Sequence, residues 1–166
     1  LELYPDGTNI SEYKILDRRI IGLSGSNSIT VDDQPSDGGT QVDLDPSDLS
    51  GSGTARDPYK ITNASELQVM DSDPDAYYVL NNDIEASGTA QWNNGSGFTP
   101  IGDDSEFTGA FDGNGYTITG LTVNRPDESN VGLFGTIGNG EIANVSLVNI
   151  DISGNEVVGG LAGDID

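Results

Sequence analysis

The sequence predicts an all-β protein whose main part is a right-handed parallel β-solenoid with one short helix. Two observations favour this fold. The apolar clusters are short and are separated by glycine, asparagine or aspartate, and two sets of residues recur along the chain. We expect three regions: a strand-rich docking segment at 1–31, a flexible acidic linker at 32–58, and the solenoid at 59–166, which we expect to be the start of a longer rod.

The first two regions differ in composition. Residues 1–31 contain short apolar runs, Tyr13–Leu16 and Arg19–Leu23, which predict two or three strands. About thirty residues bury little core alone, so we expect this segment to attach to other structural proteins. Residues 32–58 consist largely of Asp, Ser, Gly and Pro, a composition that predicts an extended linker.

The third region begins with a strand and a helix. Tyr59–Ile61 predicts a short strand, and Asn63 followed by Glu66 predicts a capped helix that reaches Met70. Short apolar clusters predict the later strands: Tyr77–Leu80, Phe107–Phe111, Tyr116–Val123, Val131–Phe134, Ile142–Ile152 and Val157–Leu161.

A repeat distinguishes the solenoid from other all-β folds. Ile118, Leu121 and Val123 recur 24 positions later (118 to 142) as Ile142, Val145 and Leu147. A second match, 28 positions apart (132 to 160), joins Gly132, Leu133, Phe134 and Gly135 to Gly160, Leu161, Ala162 and Gly163. A period in the twenties with glycine corners is typical of stacked coils. The alternative is an antiparallel sandwich in which Asn114-Gly115 closes a hairpin.

Charge and missing residue types exclude many functions. The chain has 28 acidic and 6 basic residues, a formal charge of −22, which indicates a salt-loving source because concentrated salt screens such repulsion. Nucleic acid is not expected as a partner, since no cluster of Lys and Arg exists. Without His or Cys, Ser-His and Cys-His nucleophiles and the usual zinc sites are excluded. No apolar run is long enough to span a membrane.

Three features are candidate sites, each with a structural alternative. Asp71, Asp73 and Asp75 alternate as in the opening of a calcium loop, although an EF-hand would have Gly at Ala76 and Glu at Asn82; a solvated acidic turn is the alternative. Trp92, in a polar stretch, is the aromatic residue that could contact a sugar ring, with core packing as the alternative. Asn-x-Ser sequons begin at four positions: Asn9, Asn63, Asn94 and Asn144.

The segments FTGAFDGNGYTI (107–118), VGLFG (131–135) and VGGLAG (158–163) resemble the GLUG-type repeat of secreted and cell-surface β-helix proteins. The resemblance covers about residues 51–166. It implies a large extracellular protein, adhesin-like or linked to peptidoglycan and polysaccharide surfaces, with an acidic character in haloarchaeal versions. Residues 3–13, LYPDGTNISEY, resemble the openings of virion tail and baseplate proteins.

The leading hypothesis is a non-enzymatic extracellular fibre or surface protein, on a virion or a cell envelope, that serves attachment or host recognition in high salt. No catalytic residue and no cofactor is expected, apart from calcium at the candidate loop. The expected partners are structural proteins bound through 1–31, further copies of the chain in a homo-oligomer such as a trimer, and a cell-surface glycan or glycoprotein. The alternatives are a polysaccharide lyase or hydrolase that works with carboxylates alone, and an envelope scaffold without ligands.

Overall fold

The structure is a computed structural model that describes residues 20–24, 28–31, 41 and 44–166. The chain divides into two units, Leu1–Pro35 and Ser36–Asp166. In the first unit, β1 (Ile20–Ser24) and β2 (Ser28–Val31) form an antiparallel hairpin. The strand predicted at Tyr13–Leu16 lies outside the described residues, and the role of 1–31 as a docking segment stays a prediction.

The second unit is built mainly of short strands. A single α-helix, α1 (Ala64–Gln68), and 3-10 segments at Pro46–Asp48, Val69–Ser72 and Ser87–Gly95 are the helical elements among the described residues. The strands are β3 (Tyr59–Ile61), β4 (Tyr77–Leu80), β5 (Ile84–Glu85), β6 (Ala110–Asp112), β7 (Thr117–Thr119), β8 (Thr122–Arg125), β9 (Phe134–Ile137), β10 (Glu141–Ala143), β11 (Ser146–Val148), β12 (Asp151–Gly154) and β13 (Ala162–Ile165). The protein is therefore all-β, as the sequence predicts.

Every strand of the second unit pairs in parallel with a strand that lies far away in sequence. The sheet orders are β10-β6-β4-β3, β11-β7-β5, β12-β8 and β13-β9. Parallel neighbours need a long connection, so the chain turns away and returns before it pairs again. The first return contributes β3 to one sheet, and each later return contributes strands to two or more sheets. We call these returns layers one to four: residues 59–76, 77–109, 110–140 and 141–166. No hairpin forms at Asn114-Gly115, since β6 and β7 belong to different sheets.

The register between layers differs from the 24-residue spacing predicted above. Ile118 pairs with Leu147, 29 positions on, and Val123 pairs with Ile152, also 29 positions on. The 24-residue match compares β7 and β8 with β10 and β11, which are the preceding pair of strands in the next layer. Similar apolar spacing in successive strands produces this false match. Phe134 pairs with Ala162, 28 positions on, so the second predicted spacing coincides with a strand register.

The core is formed by columns of apolar side chains that run from layer to layer. One column contains Tyr59, Tyr78, Phe111 and Ile142, joined through the registers of β3, β4, β6 and β10. Phe107 links this column to the next, with ring centroids 6.5 Å from Tyr78 and 5.0 Å from Phe134. Stacked rows of this kind give each layer most of its burial through its neighbours.

The first layer ends the stack with a helix. Asn63 caps α1 by accepting a hydrogen bond from the Glu66 N–H at 2.9 Å, and Glu66 in turn accepts from the Thr62 N–H at 2.8 Å. The predicted capping pair therefore forms, although Glu66 bonds the residue before the cap. The helix ends at Gln68, and a 3-10 segment, Val69–Ser72, continues it. Side chains of this segment and of the chain before it are buried: Leu49, Ala64, Leu67, Val69 and Met70. We call this surface the covered end.

Part of the range predicted as a linker contacts the first layer. Pro46–Asp48 is capped by the Asp45 carboxylate, which accepts from the Ser47 N–H at 2.9 Å. Lys60 of β3 donates its N–H to the Ser50 carbonyl at 2.8 Å, so residue 50 lies along the outer edge of β3. The boundaries of the three predicted regions stay predictions.

The fourth layer leaves its outer side free of strands. Among the described residues, β10 to β13 each pair on one side only. Side chains that would be core in an inner layer are half-buried or exposed here: Ile142, Leu147 and Ile152 are half-buried, and Ile165 is 68% exposed. Their partners one layer earlier, Phe111, Ile118, Val123 and Ile137, are no more than 3% exposed. We call this surface the open edge.

Candidate functional site

The three aspartates of the candidate calcium loop have different partners. Asp71 accepts a hydrogen bond from the Gly102 N–H at 2.9 Å, whereas Asp75 accepts one from the Thr108 hydroxyl. The Asp73 carbonyl accepts from the Tyr78 hydroxyl at 2.7 Å. Within the described residues, no three acidic side chains lie together as metal ligands would. The structure thus uses these residues to hold the second layer against the first, and calcium binding stays an untested prediction.

Arg125 lies between acidic side chains on one flank of the second and third layers. Its guanidinium contacts both Glu128 carboxylate oxygens at 3.0 Å and donates to Thr99 Oγ1 at 2.9 Å. Burial raises the pKa of Asp71, and the nearby Asp104 raises it further despite the Gly102 N–H. Burial and Glu128 likewise raise the pKa of Asp103. The single positive charge therefore offsets only part of the local repulsion.

A shallow polar cavity lies beside this cluster. It is lined by Gln41, Leu44, Ser65, Gln68, Asp71 and Thr99, among others. The Gln68 side-chain amide makes two hydrogen bonds with the Thr99 backbone. It donates to the carbonyl and accepts from the N–H, both at 2.9 Å. Asp71 is the one carboxylate in this lining, whereas glycoside hydrolases use two carboxylates about 5–9.5 Å apart. The cavity thus lacks the acid and base pair that sugar cleavage requires.

Trp92 lies inside the protein. Its side chain is 2% exposed, and its ring stacks on Phe98 with centroids 6.2 Å apart and an interplanar angle of 26°. The turn that follows contains Asn93 and Asn94, both with positive φ. The indole is therefore packed in the core, as the structural alternative describes, and contact with a sugar ring stays an untested prediction.

The glycines of the two matched segments allow layers to approach closely. A Cβ on Gly163 would lie 2.2 Å from the Asn130 carbonyl carbon, and one on Gly132 would lie 2.9 Å from the Gly159 carbonyl oxygen. Real Cβ atoms do not approach backbone this closely, so larger residues would force the layers apart. Gly160 is different, because its Cβ would meet only the end of the Ile150 side chain at 3.1 Å.

Corner asparagines are a structural feature that the sequence analysis missed. Asn114, Asn130, Asn144 and Asn149 all have positive φ. Asn144 donates to the Asp112 carboxylate at 3.0 Å, and Asn114 donates to the Leu80 carbonyl at 3.4 Å. The side chains of Asn144 and Asn114 thus reach back to the preceding layer. Hydrogen bonds from Asn144 and from the Asn114 N–H lower the pKa of Asp112. The 30-residue spacing of Asn114 and Asn144 is the signal that could have revealed them.

Two relatives align with about two thirds of the chain. The sequence is 42% identical over 121 residues to halomucin of Haloquadratum walsbyi, and 40% identical over 121 residues to a protein of Evansella cellulosilytica described as a Gly-rich membrane protein. These alignments cover 68% and 69% of this chain but only 1% and 14% of the two relatives. The chain therefore corresponds to a small part of each of these proteins.

Two further comparisons found no match. No family model matches the chain, so the GLUG resemblance stays a prediction, and no solved structure matches it. In the part of the chain that the structure describes, none of the helices has the length and hydrophobicity needed to cross a bilayer.

Proposed function

We propose that this chain is a non-enzymatic structural segment of a large surface protein that works in concentrated salt, and that its second unit is a stretch of β-solenoid. The observation that carries the proposal is the set of parallel ladders, in which successive layers add strands in sequence order to sheets of four, three, two and two strands. This arrangement suits a protein whose task is to extend, because each layer supplies the surface on which the next one stacks.

The open edge supports a rod longer than four layers. Its backbone N–H and C=O groups are free to pair with another strand on one side, and its apolar side chains are only half-buried. Unprotected edges of this kind favour aggregation unless something covers them. A fifth layer with the same spacing would cover both the edge and the apolar columns.

The use of the carboxylates supports a structural role. Asp71, Asp75 and Asp112 each accept hydrogen bonds that join one layer to another or shape a corner. Catalytic acids in glycan-cleaving enzymes instead occupy a shared cleft with raised and lowered pKa values. The hydrogen bonds of these carboxylates therefore favour the structural role over the polysaccharide-active alternative.

Charge and the relatives support the location. A formal charge of −22 on 166 residues suits concentrated salt, where the screening length falls to ~3 Å at 1 M. The names of the two relatives, halomucin and a Gly-rich membrane protein, fit a cell envelope. We infer a cell-surface rather than a virion location, because both relatives come from cellular organisms.

Labelling of intact cells tests the proposal. Antibodies raised against residues 44–166 should bind the outside of cells of the source organism before lysis. Protein purified from those cells should turn over neither acidic nor neutral polysaccharides. Label that reaches the protein only after lysis would refute the location, and sustained cleavage of any polysaccharide that is lost in a deletion strain would refute the structural role.

A further inference from the structure

Three of the four Asn-x-Ser sequons lie in the described residues, and the structure places them in different surroundings. An asparagine that accepts a glycan needs a side-chain amide nitrogen that is accessible and a serine two positions later that can be reached. Asn63, Asn94 and Asn144 can therefore be compared within one protein.

Asn63 is engaged in the start of α1. Its Oδ1 accepts from the Glu66 N–H at 2.9 Å, and its Nδ2 lies 3.4 Å from Thr62 Oγ1. The serine of this sequon, Ser65, is inside the helix and 6% exposed. In the folded protein, neither Asn63 nor Ser65 of this sequon is therefore available to a transferase.

Asn144 is engaged in the stacking of layers. Its Nδ2 donates to the Asp112 carboxylate at 3.0 Å, and its carbonyl oxygen lies 2.5 Å from where a Cβ on Gly113 would be. The residue turns the chain between β10 and β11 at the open edge. A glycan here would replace the hydrogen bond between the Asn144 amide and the preceding layer.

Asn94 differs from the other two asparagines because the hydrogen bond that closes its turn is made by the preceding residue. Asn93 donates its amide to the Gly97 carbonyl at 2.8 Å and closes the turn. Asn94 is exposed with φ of 58°, and among the described residues its side chain has no hydrogen-bond partner. The position where Gly95 would have a Cβ has nothing within 4 Å, so open space adjoins the turn.

The turn at Asn94 is also separate from the open edge. Gly97 pairs with Val123 of β8, and β8 pairs on its other side with β12. A group attached at Asn94 therefore projects from the flank of the second layer. It leaves the stacking surface of β10 to β13 unobstructed.

We propose that Asn94 is an N-glycan attachment site, and that Asn63 and Asn144 remain unmodified in the folded protein. In the reaction the Asn94 amide nitrogen attacks the anomeric carbon of a lipid-phosphate-linked oligosaccharide, catalysed by a separate transferase. A C–N bond forms, the C–O bond to phosphate breaks, the phosphate leaves with the electron pair, and the amide proton is lost to a base. The assignment rests on the proposed surface location, because the donor is used outside the cytoplasm.

Peptide mapping tests the assignment. The full chain, fitted with an export signal and secreted by a glycosylating halophilic archaeal host, is digested after glutamate. This cleavage places Asn94 in peptide 86–106, Asn144 in 142–156 and Asn63 in 13–66. We expect a hexose-containing mass increase on 86–106 but on neither 142–156 nor 13–66, removed by Ser96→Ala and retained by Ser96→Thr. Ser96 suits this matched pair because, within the described residues, no hydrogen bond to its hydroxyl is present.

Each other result overturns the proposal. An unmodified peptide 86–106 in secreted protein refutes it, provided that the host's own surface glycoprotein carries glycans in the same sample. A glycan on 142–156 or 13–66 refutes the selectivity. Because export is imposed, these outcomes do not depend on where the native protein resides, which the antibody labelling above measures separately.

Discussion

The covered end and the open edge lie at opposite ends of one stack of layers and differ in what completes them. At the covered end, α1 and the segment around Leu49 bury their apolar side chains, so that Leu67 and Met70 are fully enclosed. At the open edge, Ile142 and Leu147 occupy equivalent columns yet remain half-buried. Burial in this fold is therefore a property of having a layer on both sides rather than of the residue itself.

The largest expected effect on stability comes from truncating the same apolar column in two different layers. Phe111→Ala should lower the free energy of unfolding by about 3–5 kcal/mol, because the ring is 1% exposed and packs 6.0 Å from Phe134. Ile142→Ala, one layer later in the same column, should cost about 1–2 kcal/mol since its side chain is only half-buried. Urea denaturation in molar salt, followed by circular dichroism, measures both. Equal losses would show that the fourth layer is as fully packed as the third.

Glycines provide the next test. A Cβ on Gly109 would lie 2.0 Å from the Ala76 carbonyl oxygen, so Gly109→Ala should separate β6 from β4 and cost about 1–3 kcal/mol. Gly160→Ala, which meets only the Ile150 side chain, is the matched control and should cost less. Hydrogen exchange should show lost protection in β4 and β6 for the first variant alone. Unchanged protection of these strands in Gly109→Ala would contradict the tight contact.

The cap of α1 tests the covered end itself. Asn63→Ala should cost about 1 kcal/mol, because the Glu66 N–H loses its acceptor. Asn63→Asp keeps an acceptor oxygen and should stay near the wild type. Thermal unfolding of the three proteins in the same salt compares them. If Asn63→Asp were as unstable as Asn63→Ala, the cap would not be the source of the loss.

The smallest expected effects are opposite pH dependences of stability at two carboxylates. Asp71 has a raised pKa, so its contribution to stability is present below its ordinary pKa and is lost as pH rises through the folded value. Asp112 has a lowered pKa, so its contribution is present above its ordinary pKa and is lost as pH falls through the folded value.

Asparagine variants isolate these two contributions. On acidification through the carboxylate range, the wild type should gain stability relative to Asp71→Asn and lose it relative to Asp112→Asn. Denaturation at a series of pH values gives the two differences. Slopes of the same sign would show that burial at Asp71, or hydrogen bonding at Asp112, does not govern its titration.

The sequence predicts local features better than the pairing of layers. The Asn63 cap and the strands Tyr59–Ile61 and Tyr77–Leu80 follow from residues that are neighbours in sequence, and each forms as predicted. The 24-residue register is wrong because apolar spacing is similar in successive strands. Close backbone contacts between layers, such as Gly113 against Asn144, accompany the observed register and join residues that are distant in sequence.

The surroundings of the candidate site residues could not be predicted from the sequence for a related reason. The alternating pattern at Asp71, Asp73 and Asp75 suggests convergence, but their partners Gly102, Tyr78 and Thr108 are supplied by other parts of the chain. Trp92 lies in a polar stretch, yet Phe98 encloses it. In both cases the decisive neighbour is distant or is placed by a turn with positive φ, which local composition does not reveal.

The order of the layers has a consequence for biosynthesis. The covered end precedes the other layers in sequence, so a ribosome delivers α1 and β3 before β4, β6 and β10. Each newly made stretch can add to a finished template immediately behind it, without waiting for distant residues still to be translated. Growth of this protein is therefore suited to proceed vectorially, with an unfinished surface confined to the most recently synthesised layer.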